Sequence, residues 1–124
     1  MPLTSAYATF LAQATLGEAV TPFNNANARI GVGDGTAAFA ASQTDLQGTN
    51  KYRKGVDAGY PTRSGSTMTF QATFSGTEAN FAWNEWGVFN AATGGVMLNR
   101  KVESLGTKAS GSTWILQVQV TLTV

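Results

Sequence analysis

The clearest pattern in the chain is strict alternation of apolar and polar residues in its second half. Met68, Phe70, Ala72 and Phe74 alternate with Thr67, Thr69, Gln71 and Thr73, and Trp114, Leu116, Val118, Val120, Leu122 and Val124 alternate with Thr113, Ile115, Gln117, Gln119, Thr121 and Thr123. Period two places one set on a core and the other on the opposite face, which predicts strands over 66–74 and 113–124. At about 3.3 Å per residue the second would span roughly 40 Å and cross the whole domain. Near the N-terminus the period changes. Leu3, Tyr7, Phe10, Leu11 and Ala14 recur at three and four, which predicts a short helix over 4–16, capped by Thr4 or Ser5 and stopped by Gly17. Its expected role is to cover an open end of a sheet.

Between these elements, 18–27 is rich in turn residues and reads as a loop. Residues 28–33 read as a strand ending at Gly33-Asp34-Gly35, with glycines suited to positive φ in a tight turn and Asp34 as its cap. The alanines of 36–46 are compatible with a helical turn before Gly48, and 51–60 with a strand interrupted by Gly55 and Gly59. A turn is expected around 61–65 and another at 108–111. Residues 83–100 spell two short apolar strands joined by a turn containing Gly94 and Gly95. Turn signals every eight to twelve residues and no alternating helices predict a single domain over 1–124, with its strands in 28–124. The expected fold is mainly β: an antiparallel β-sandwich, jelly-roll-like, or a small barrel, with one short N-terminal helix.

The polar face of 113–124 is Thr and Gln, with no Lys or Glu. Exposed edge strands normally carry charge or Pro against pairing with other chains, so this strand is expected to be central or covered by a partner.

Composition narrows the chemistry. The chain has no His and no Cys, which removes the usual general base, the usual zinc ligands and the thiolate nucleophile. Net charge is +1 and only 12% of the residues are charged, about half the ordinary share. A surface so poor in charge suits a protein covered by neighbours. No apolar run approaches the length of a membrane span and none follows a basic N-terminal region, so no membrane contact is expected.

The remaining motifs have plainer readings. Gly31-Val32-Gly33-Asp34-Gly35 lacks the Lys-Ser/Thr of a phosphate loop and the third glycine of a dinucleotide fingerprint, and reads as a turn. Glu78 and Glu85, beside Trp83 and Trp86, have the residue types of a glycosidase pair, but the small domain leaves little room for a cleft. Lys51, Tyr52, Arg53 and Lys54 form the one basic cluster; in a nearly neutral chain it reads as a strand edge or a contact with an acidic partner, with nucleic acid not expected. No catalytic residue, cofactor or metal is expected. Three Trp and seven Phe exceed the obvious needs of one small core, so an aromatic interface is expected. Its candidate residues are Trp83, Trp86, Phe89 and Arg100 on the 83–100 hairpin, with Lys51, Tyr52 and Arg53.

Over roughly 28–105 the segments Ile30 to Gly35, Glu85 to Asn90, Gly94-Gly95 and Met97 to Arg100 resemble structural proteins of tailed bacteriophages. In the tail-collar fibre family a Val-Gly-Asp-Gly segment is followed by a Glu-Ile-Gly-Leu-Phe-Asp hairpin. Fibre proteins continue into shaft and receptor-binding regions, whereas this sequence ends after a strand. The resemblance therefore implies a capsid decoration (cement) protein on the virion, partnered by the major capsid protein and by copies of itself in a symmetric oligomer. A tail-fibre, collar or baseplate adaptor, binding host glycans through Trp83 or Trp86, is the alternative.

Overall fold

A computed structural model of the chain describes residues 2–124. Its elements in chain order are α1 (Ser5–Thr15), β1 (Arg29–Gly33), β2 (Lys51–Gly55), β3 (Thr62–Ser64), β4 (Thr67–Phe74), β5 (Ala82–Phe89), β6 (Met97–Thr107) and β7 (Trp114–Thr121). All ladders are antiparallel. They form a four-stranded sheet, β2-β1-β5-β6, and a three-stranded sheet, β3-β4-β7. Among the described residues no ladder joins the two sheets, so the fold is a sandwich and the barrel alternative falls away.

The helix forms where the sequence places it, because both ends are capped. Thr4 Oγ1 accepts from the Tyr7 amide at 3.1 Å. At the other end Gly17 takes φ +78°, and the Glu18 and Gly17 amides return to the Gln13 and Ala14 carbonyls, a Schellman closure that needs glycine at this position. Tyr7 is buried; it stacks on Phe10, and Phe23 meets both rings edge to face, with centroids 5.1–5.7 Å apart. The segment before the helix covers a sheet edge: Leu3 bridges Asn99, and the Thr4 amide donates to the Leu98 carbonyl of β6.

Phe70, Ala72 and Phe74 of β4 and Val118 and Val120 of β7 meet Ile30, Val32, Trp83, Trp86, Val88 and Leu98 of the other sheet in one core. Phe74, Trp83 and Trp114 run through it edge to face, at 4.8 and 5.0 Å. A register shift between Trp83 and Glu85 breaks the two-residue alternation of β5. Trp83 and Trp86, three positions apart, therefore both reach this core.

Three expectations need correcting. Residues 36–46 form no helix but an irregular segment with one hydrogen-bonded turn, the Gln43 amide donating to the Ala40 carbonyl at 3.0 Å, and the amides that flank the segment, of Gly35, Gln47 and Gly48, are held by a β5 carboxylate. The turn expected over 61–65 is mostly strand: β3 occupies 62–64 and the turn is at Gly65-Ser66. Finally, β7 is eight residues long, about 26 Å, because its partner β4 turns away after the Leu122 to Ser66 hydrogen bond.

Candidate functional site

Glu85 organises the outer side of β5. It is fully buried, and its carboxylate accepts four hydrogen bonds: Gln47 N at 2.8 Å and Arg100 Nε at 2.8 Å on Oε1, Gly35 N at 2.9 Å and Gly48 N at 2.7 Å on Oε2. Arg100, also fully buried, reaches on to Gln43 Oε1 at 3.1 Å. A buried carboxylate is costly unless its lone pairs are satisfied, and here three backbone donors and a cation satisfy them. The result pins the irregular segment 34–50 over the sheet, where Leu46 packs on Phe89 and Met97 as a second small core.

The glycines of the 31–35 motif serve this clamp by being small. Neither Gly33 nor Gly35 has positive φ, which corrects the turn-geometry expectation. A Cβ at Gly33 would strike the Glu85 carboxylate, and one at Gly35 would lie 2.5 Å from both Glu85 Oε2 and Gly48 N. Asp34 caps the loop by accepting from the backbone and side-chain nitrogens of Asn50, at 3.1 and 2.8 Å. Those bonds, the side-chain one foremost, hold its carboxyl below the ordinary range.

The basic cluster is divided between two faces of β2. Lys51 and Arg53 point to Asp45, at 2.9 and 3.2 Å; Tyr52 and Lys54 point the other way, to Glu78 Oε2, at 2.8 and 2.7 Å. Burial alone would raise the Asp45 carboxyl, but the hydrogen bonds from Lys51, the Leu46 amide and Arg53 outweigh it and leave it lowered. Lys54, the Ser75 amide and Tyr52 pull the Glu78 carboxyl from 4.5 to about 2. The Arg53 guanidinium lies 3.6 Å above the Phe89 ring centroid and donates to the Ala91 and Gly94 carbonyls at 2.9 Å. Arg53 thereby joins the end of β5 and the β5–β6 turn, held by the cation–π contact and two carbonyls, to segment 34–50, held by the Asp45 ion pair.

The seven candidate interface residues thus separate. Lys51 is exposed, and Tyr52 and Arg53 are partly exposed, all three bordering an open cavity of about 230 Å³ also lined by Asp45, Ala92 and Thr93. Trp83 (1%), Trp86 (6%), Phe89 (0%) and Arg100 (0%) are buried. These four are corrected from surface anchors to interior residues. Trp83 Nε1 donates to the Ala79 carbonyl and Trp86 Nε1 to Glu103, so the polar ends of both indoles are engaged within the chain. A glycan-stacking role for either Trp falls with their burial. Glu78 and Glu85 each have their own partners, in separate networks.

Asp45, Gln43 and Asn50 were missed in the sequence, since their partners lie far along the chain or inside an irregular segment. One available signal was the unusual pairing of a Gly-rich strand end with a lone carboxylate, Glu85, in an apolar strand.

A broad uncharged surface lies on the outside of the three-stranded sheet. Thr67, Thr69, Gln71 and Thr73 of β4 stand in register with Thr121, Gln119, Gln117 and Ile115 of β7. Thr67 bonds to Thr121 and Gln71 to Gln117 across the strands. Ile115 is 62% exposed, and the Asp57 carboxylate accepts from the Gln71 and Thr73 side chains beside β4. No family model matches this chain, and no significant match is found among curated proteins or solved structures.

Proposed function

We propose that this chain is a non-enzymatic structural protein of a tailed-bacteriophage virion, and that it decorates the capsid shell, bound to the major capsid protein and to copies of itself. The observation that carries this reading is the uncharged outer face of β4 and β7. Eight registered positions carry Thr, Gln or Ile and no charge, a surface inexpensive to remove from water when it meets a neighbour. A decoration protein needs such surfaces and no chemistry. By linkage, each contact made only with the assembled shell stabilises that shell.

The test is thermal. Purified heads lacking the protein are heated with and without it added back, and the rupture temperature should rise on addition; an unchanged temperature sinks the stabilising role.

A second reading, a tail-collar or baseplate component, is favoured by a different observation. The two segments that carry the fibre-family resemblance form one unit: Val32 pairs with Trp86 and Gly33 with Glu85, and Glu85 accepts from the Gly35 amide. Immunogold labelling of particles separates the readings, because label confined to the tail rejects decoration.

A further inference from the structure

We propose that the free edge of β7 pairs antiparallel with β7 of a second copy across a twofold axis, joining two three-stranded sheets into one of six strands. Among the described residues the sandwich has four sheet edges, and three carry protection. β3 is three residues long. β2 bears Lys51, Arg53 and Lys54, which would repel their own copies. β6 bears Lys101 and Glu103 and is bridged by Leu3 at Asn99. Short length, charge and coverage are the usual devices against edge pairing.

β7 has none of them. Among the described residues it pairs only with β4, and residues 109–124 contain no Asp, Glu, Lys, Arg or Pro. The β4–β7 register and the Leu122 to Ser66 bond direct the backbone groups of even-numbered residues toward β4. In an antiparallel ladder the alternate residues then face outward, so the N–H and C=O groups of Ile115, Gln117, Gln119 and Thr121 line the open edge.

Charge selects a second copy as the occupant. A twofold ladder sets the strand against its own reverse, so a cluster of like charges such as that of β2 would face itself, and β7 carries no charge. Centred on Val118, the pairing sets Gln117 opposite Gln119, Leu116 opposite Val120 and Trp114 opposite Leu122 of the second copy, with Ile115 opposite Thr121. It also covers Trp114 and Leu116, which the sandwich leaves only partly buried.

This inference concerns the isolated chain and does not depend on the virion reading. The experiment is sedimentation of the purified protein over a concentration series, with amide hydrogen exchange resolved by residue. A dimer is expected in which the Ile115, Gln117, Gln119 and Thr121 amides are protected at high concentration and exposed on dilution, while the Leu116, Val118 and Val120 amides stay protected throughout. Gln117→Lys and Gln117→Pro should each weaken the dimer by about tenfold or more with the monomer still folded by circular dichroism. Both substitutions act at a residue whose amide faces away from β4. A monomer at every concentration, a dimer whose odd-numbered amides stay unprotected, or a dimer indifferent to Gln117→Lys overturns the proposal.

Discussion

Glu85 and Arg100 meet at 2.8 Å with both side chains fully buried, yet the ion pair is only one of the bonds on that carboxylate. Three backbone amides from segment 34–50 share it. Removing Glu85 therefore strands a buried cation and three amides together. Glu85→Ala should destabilise the domain by about 3–5 kcal/mol, the usual cost of breaking a buried pair from one side. Arg100→Met should cost less, since the carboxylate keeps its three amides. Urea denaturation of both variants checks the order, and a larger loss for Arg100→Met would refute the clamp.

Trp86 and Phe89 belong to different cores on the two faces of β5. Each truncation to Ala should cost about 3–5 kcal/mol. Because the residues pack in separate clusters, the double variant should lose close to the sum. The same denaturation series measures it; an unshifted midpoint for either single variant would place that ring outside the core.

Gly33 is confined by the carboxylate next to it. Gly33→Ala should destabilise by about 1–3 kcal/mol through overpacking, and that cost should shrink in a Glu85→Ala background, where the obstruction is gone. Independent, additive effects in this double-mutant cycle would contradict the steric account.

Acid stability should depend on Glu78. Its carboxyl is lowered from 4.5 to about 2 by Lys54, the Ser75 amide and Tyr52, so the folded state binds the proton less readily than the unfolded chain. The contribution is present above pH 4.5 and is lost as pH falls toward 2. Glu78→Gln should lower stability at neutral pH and flatten its pH dependence within that window. A slope between pH 4.5 and 2 identical to that of the wild type would exclude this role.

Local patterns made much of the architecture legible. The alternation in 67–74 and 114–121 identifies strands with one buried face, because side chains on a strand point to opposite sides at each step. The spacing of Tyr7, Phe10 and Leu11, with Thr4 before and Gly17 after, identifies a helix because capping is settled within a few residues. The 83–100 hairpin is legible for the same reason, its turn glycines having φ +62° and +69°. The site was less legible. Trp83, Trp86, Phe89 and Arg100 read equally well as surface or interior, since amino-acid type does not say which face of a twice-covered strand is open. Period alone misassigns the pair Trp83 and Trp86, which share a face only because the register shifts between them.

Neighbouring residues and composition alone specify the alternating strands β4 and β7, the helix and its caps, and the scarcity of charge, of His and of Cys. That segment 34–50 folds over β5 and buries Phe89 is a tertiary outcome, because the bonds that Glu85 accepts from Gly35, Gln47 and Gly48 cross 37 to 50 residues of sequence. The tertiary structure likewise decided that β7 is an edge strand. An uncharged alternating strand is compatible with the centre of a sheet or its margin, and the choice rests on which strands pair beside it, a long-range outcome that β7's own residues do not encode.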